Sequence, residues 1–220
     1  MSRGFKIAVA AILAIMLIGF IVALQTVDVA AVGPQGTSIG LSKWNKAVAD
    51  TLGFHEDWYK ITTVLGVIPF AVCGVFALIG VVQWVKRKSI RKVDPKLFWL
   101  AGLYAVTAIL YVLFDKVAIN YRPVIMPGEA AVEPSFPSSH TLAAIVVFGS
   151  AILMISDYIR SRGLAIVLCV ACWLVMVATV LGRLYSGVHW ITDIICGILL
   201  GTFLITIFEI CTERLPRIKR

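Results

Sequence analysis

Histidine is scarce in this chain: it has three, against twenty Lys and Arg and twelve Asp and Glu, in 220 residues. Internal repeats and low-complexity tracts are missing, which excludes solenoid and array architectures. What is missing above all is polarity. Hydrophobic residues make up 60% of the chain and mean hydropathy is +0.95, whereas a soluble domain is about half apolar. The composition excludes an ordinary soluble protein and points to a membrane one. The length suits a single domain over 1–220 rather than two.

A bilayer core takes about 20 apolar residues per helix. Six runs qualify, near 7–24, 61–85, 97–114, 141–156, 164–181 and 191–208. The first follows Arg3 and Lys6 as a signal peptide would. It is longer than a usual signal core, however, and no small-x-small cleavage site closes it, so it reads as a retained helix. The fold class expected is all-α, a polytopic membrane protein with six transmembrane helices.

Lys and Arg set the orientation. With the N-terminus in the cytoplasm, fourteen of the twenty fall on the cytoplasmic side: Arg3 and Lys6, the six between Lys86 and Lys96, Arg160 and Arg162, and Arg214, Arg217, Lys219 and Arg220. Both termini are then cytoplasmic. The net charge of +8 reads as a topology signal beside anionic lipid and requires no nucleic acid. None of the five cysteines lies in an outward loop, so no disulfide is implied there. Cys169 and Cys172 read as small packing residues of a helix.

The longest outward loop, about 25–60, carries Leu41, Trp44, Val48 and Leu52 at helical spacing, with Lys43, Asn45, Lys46 and Asp50 between them. This predicts a short amphipathic helix lying on the outer membrane face. His55 follows it and reads as an exposed loop residue. The other two histidines fall at helix ends on that same outer side, in loops 115–141 and 183–189, with Lys116, Arg122 and Arg183. Hydropathy and charge alone drew the topology, so this convergence is independent of it.

In PSFPSSHT, Ser138 suits the N-cap of the helix that follows. The first N–H groups of that helix, near Ser139 and His140, lack intrahelical partners and favour an anion. In GRLYSGVHWITD, His189 and Asp193 stand at i and i+4. A carboxylate there fixes one imidazole nitrogen and leaves the other as nucleophile or base. Ionisable groups at membrane depth are costly and default to function. Three cations converging on two histidines and a helix N-terminus describe a receptor for a multiply charged anion. Phosphate fits best, because arginine forks match its oxygens and charge grows during phosphoryl transfer. Two other constellations stay open: a metal on His140, His189 and Asp193, which three cations would repel, and a Ser–His–Asp hydrolase on Ser138 or Ser139, which would not need them.

Together these segments resemble the type 2 phosphatidic acid phosphatase family, the lipid phosphate phosphatases. Its three motifs are K-x6-R-P, P-S-G-H and S-R-x5-H-x3-D; here KVAINYRP, PSSH and GRLYSGVHWITD stand in the same order. The motif-bearing core is then about 97–210. The resemblance implies that His189 attacks phosphorus to form a phosphohistidine, that Asp193 orients it, and that His140 protonates the leaving group. Lys116, Arg122, Arg183 and Ser138, with the N–H groups near Ser139 and His140, would hold the phosphate oxygens. It implies no metal and no cofactor. Three departures stand out. Only five residues separate Lys116 from Arg122, Ser139 replaces the glycine of the second motif, and Gly182 replaces the serine of the third. The first would turn the lysine by about 100° on a helix. The pKa of His189 is pulled both ways, down by the cations and up by Asp193.

The function expected is hydrolysis of a phosphomonoester or diphosphate of a membrane lipid at the outer face of the plasma membrane. Small size and the lack of disulfides suggest a bacterial one. Undecaprenyl diphosphate, phosphatidylglycerol phosphate and phosphatidic acid are the candidate substrates. The alternative is a non-catalytic lipid-phosphate binding or transport protein that kept the phosphate site; the presence of His189, His140 and Asp193 argues against it. A haloperoxidase relative with vanadate in the phosphate site is disfavoured by the hydropathy.

Overall fold

The structure, a computed structural model, describes residues 2–215. Arg217, Lys219 and Arg220, placed above among the cytoplasmic cations, lie outside the described residues. The chain forms α1 (Arg3–Thr26), α2 (Ser42–Leu52), α3 (Glu56–Leu65), α4 (Ile68–Arg87), α5 (Pro95–Lys116), α6 (Ser139–Tyr158), α7 (Arg162–Tyr185) and α8 (Ile191–Thr212). Six helical stretches are long and apolar enough to cross a membrane, α3 and α4 together making one of them. Local sequence accounts for the starts. Ser2, Ser138 and Ser161 cap α1, α6 and α7 by accepting from the N–H three residues on. Pro95 opens α5 at a position where its missing N–H would have no partner.

The second span differs from the expected 61–85. It begins at Glu56, because Glu56 and Asp57 complement the positive end of a helix. It then breaks at Gly66–Val67, since Pro69 offers no N–H to the turn before it. The break falls beside the site described below.

α6 is the axis of the bundle: 50% of its span is buried, against 6% for α7, and it packs on α4, α5, α7 and α8. Leu142, Val146 and Met154 of α6 meet Leu100 of α5 and Leu200 and Phe208 of α8 in the main apolar core. α8 comes close through Gly201, where a Cβ would lie 2.8 Å from Ile145 Cγ2. At the end remote from the motif loops, Lys6 Nζ lies 2.9 Å from Glu209 and 2.8 Å from Glu213. Lys96 Nζ lies 2.6 Å from Asp157 there.

α2 forms where the periodicity predicts a helix, but its inward face is polar. Trp44 is 46% exposed, while Asn45, expected on the polar outer face, is fully buried. The reason is a partner on α8: Asn45 Oδ1 accepts from the Thr192 N–H at 3.3 Å and the Thr192 hydroxyl at 3.1 Å. Asp28 caps α2 from a distance, its carboxylate accepting from the Lys43 N–H at 2.9 Å.

Candidate active site

The end of α5, the starts of α6 and α8 and the end of α7 meet here. Ser138 is buried and caps α6: its Oγ accepts from the Thr141 N–H at 3.5 Å, and its own N–H donates to the Asp193 carbonyl at 3.1 Å. Ser139 starts the helix, and its φ is not positive, so serine in place of the motif glycine brings no backbone strain. α7 runs to Tyr185 and carries Arg183 in its last turn rather than in the turn beyond it; Arg183 is 1% exposed.

α8 starts at Ile191, so His189 precedes the helix instead of opening it. The pair still meets: His189 Nδ1 lies 3.6 Å from Asp193 Oδ2. Asp193 is fully buried and held on both oxygens. Oδ1 accepts from Asn120 Nδ2 at 3.0 Å, and Oδ2 from the Trp190 N–H at 3.1 Å. Neither ring nitrogen of His189 makes a hydrogen bond among the described residues; the carboxylate stands on the Nδ1 side, which leaves Nε2 turned away from it. Burial, then the Arg183 and Arg122 guanidiniums, hold the His189 imidazole well below its usual range, against the backbone of Ser135. Of the opposed effects expected on His189, the cations and burial win. The ring is neutral at pH 7 and keeps the lone pair a nucleophile needs.

Arg122 ties the loop after α5 to the loop before α8. Its Nε donates to Glu133 Oε2 at 2.9 Å and its Nη1 to the Val188 carbonyl at 3.4 Å. His140 lies at the start of α6 against the helix break, where a Cβ on Gly66 would stand 2.7 Å from its Nε2. Arg122, Ser139, His140 and His189 line a cavity of about 660 Å³, together with Asp115 and Glu133 and with the apolar Pro69, Phe70 and Phe114. Arg183 lies within electrostatic range of both histidines.

Lys116 is not brought to this cluster. It ends α5 with its side chain 77% exposed and its Nζ 3.5 Å from Asp115. From the same segment it is Asn120 that reaches Asp193, its Nδ2 donating to Oδ1 at 3.0 Å. Nothing in the sequence marks Asn120 beyond its place inside KVAINYRP, and Tyr59, Thr62 and Gly66 look like the unremarkable start of an apolar span. His55 is half-buried rather than exposed, stacked on Tyr185 with ring centroids 4.6 Å apart. Among the described residues, no three His, Cys, Asp or Glu side chains gather as a metal site would require.

The profile of the PAP2 superfamily matches residues 96–217, more than half of the chain. The chain belongs to the PAP2 superfamily. The match opens in the first turn of α5 and takes in all three motif segments. The whole PAP2 chain is also similar in fold to a solved structure described as the first transmembrane PAP2 type phosphatidylglycerolphosphate phosphatase from Bacillus subtilis. The TM-score is 0.67 and the identity 15%, over 96% of this chain and 98% of that one. At that identity the likeness is one of fold. No curated protein matches the chain by sequence.

Proposed function

We propose that this PAP2 protein is a multi-pass membrane phosphatase that hydrolyses a phosphomonoester or diphosphate of a membrane lipid through a phosphohistidine on His189. The observation that carries this reading is a cavity lined both by Arg122, Ser139, His140 and His189 and by apolar residues of α4 and α5. A phosphate held by the polar groups would place its lipid tail against the apolar residues. Phe70, one of these, is 77% exposed on the flank of the bundle, where a tail continues into the bilayer. Superfamily membership supports phosphatase chemistry.

The neutral Nε2 of His189 attacks phosphorus, and the bond from phosphorus to the lipid oxygen breaks. His140 gives its proton to that departing oxygen; with a diphosphate, the departing group is the lipid monophosphate. Water then adds its oxygen to phosphorus and its proton to His140. The phosphorus–nitrogen bond breaks, and inorganic phosphate leaves. Arg122, Arg183 and the N-terminus of α6 at Ser138 and Ser139 stabilise the charge that gathers on the phosphoryl oxygens. The reaction needs no metal. The charge distribution along the chain supports cytoplasmic termini and a site on the outer face of the membrane.

Phosphate release from undecaprenyl diphosphate, phosphatidylglycerol phosphate and phosphatidic acid tests the reading, using detergent-purified protein in EDTA beside His189→Ala. Release that survives EDTA and is lost in His189→Ala is expected. Phosphate binding without release from any of the three would favour a lipid-phosphate binding or transport role instead.

A further inference from the structure

We infer that Thr62 and Tyr59 of α3 are positioning residues that hold the Arg183 guanidinium ready for phosphate. The inference rests on the proposed phosphatase reading and deepens it.

Arg183 is a buried cation without a counter-charge: among the described residues its side chain enters no ion pair. Its partners come from α3. Nη1 donates to Thr62 Oγ1 at 3.3 Å, and Cζ lies 5.3 Å from the centroid of the Tyr59 ring. Both contacts orient the cation without neutralising it. The Thr62 hydroxyl has one proton, which reaches the Trp58 carbonyl at 2.8 Å. Its lone pairs are therefore what it offers to Arg183. A carboxylate in this place would compete with phosphate; a hydroxyl acceptor and a ring face do not. Arg183 Nε is buried with no partner in the protein, which leaves a donor free for an incoming oxygen.

The seam between α3 and α7 is built for this contact. His55, Trp58, Tyr59 and Thr62 share one face of a helix by their spacing. His55 stacks on Tyr185, and Trp58 meets the same ring edge-on at 5.6 Å. The two helices come close at Gly182, where a Cβ would lie 2.5 Å from Thr62 Cγ2. Gly182 stands where the third motif has serine. The room for that side chain is taken by the Thr62 methyl group, and the Thr62 hydroxyl is the one on the arginine. His55 and the three α3 residues all lie outside the matched region 96–217. The motif-bearing part supplies Arg183, and the helix before it supplies the setting.

Thr62→Val keeps the shape and removes the acceptor; Thr62→Ser keeps the acceptor. Detergent-purified Thr62→Val is expected to unfold at the wild-type temperature, to bind orthovanadate and inorganic phosphate about tenfold more weakly, and to lose kcat/KM by a similar factor. Thr62→Ser is expected to stay within about twofold of wild type in all three. Moving the hydroxyl across the seam, in the double variant Thr62→Ala with Gly182→Ser, regains affinity that Thr62→Ala alone loses. Wild-type phosphate affinity and turnover in Thr62→Val would overturn this inference and leave the phosphatase reading intact. So would a loss that Thr62→Ser shares and that follows thermal stability, since that is packing alone. A wild-type protein that neither binds phosphate nor releases it from any lipid would overturn both.

Discussion

His189 Nδ1 faces Asp193 Oδ2 at 3.6 Å, and Asp193 is itself fixed by Asn120 at 3.0 Å and by the Trp190 N–H at 3.1 Å. The carboxylate sits between a backbone donor and an amide donor, so its orientation is set before substrate arrives. In the proposed mechanism it faces Nδ1 and so leaves Nε2 as the attacking nitrogen. Asp193→Asn removes that control at nearly constant shape. The expected fall in kcat is about 10³–10⁴-fold, with KM little changed, in steady-state phosphate release. Asn120→Leu acts one step further out and is expected to lower kcat about tenfold. An Asp193→Asn protein with wild-type kcat would remove the carboxylate from the chemistry.

The pH dependence follows from the charges around His189. Burial and the Arg183 and Arg122 guanidiniums depress its pKa well below 6.5. Protonation, which destroys the nucleophile, therefore occurs only in acid well below neutrality. Arg122→Gln removes one of the depressing charges and raises the pKa. The acid limb of the kcat/KM profile is expected to move toward neutral pH in this variant. A limb that stays put or moves further into acid would mean that His189 does not set it.

Lys116 and Arg122 should separate cleanly. Lys116 is exposed and paired with Asp115, whereas Arg122 lines the cavity. Lys116→Ala is expected to stay within about threefold of wild-type kcat/KM, the scale of an exposed ion pair. Arg122→Ala is expected to fall by about 10²-fold or more, the scale of losing a transition-state donor. Equal losses in the two variants would show that the lysine reaches the phosphate after all.

The helix break at Gly66 holds His140 closely. A Cβ there would lie 2.5 Å from the His140 Cδ2 and 2.7 Å from its Nε2. Gly66→Ala must push the proposed acid out of line, and a displacement of that order is expected to reduce kcat by about 10²-fold. The reduction should be much smaller for a substrate with a good leaving group, such as p-nitrophenyl phosphate, because protonation then matters less. A uniform loss on both substrates would point to general misfolding.

The bundle was readable because a bilayer demands long apolar runs, and six such runs stand out in the sequence at close to their observed positions. What failed was what hydropathy does not see. It starts the second span at residue 61, because Glu56, Asp57 and Lys60 are polar, although they belong to α3. It ends the fifth at residue 181 and so leaves Arg183 in a turn, although the helix continues with its polar residues turned inward. The motif histidines, Asp193 and both arginines converge because their loops share one end of the bundle, which charge and order along the chain already imply. The supports of that cluster were not legible. Asn45, Asn120 and Thr62 are ordinary polar residues, and only packing tells that each is buried with its side chain on α8 or Arg183.

The claim that phosphorus passes through His189 is tested most directly by trapping it. A lipid phosphate labelled with radioactive phosphorus, mixed with the protein and quenched in alkali within one turnover, leaves any phosphohistidine intact for peptide mapping. The account predicts label on the peptide containing His189, labile to acid, and none in His189→Ala. Label on the peptide containing Ser138 and Ser139, or undiminished phosphate release by His189→Ala, would contradict it.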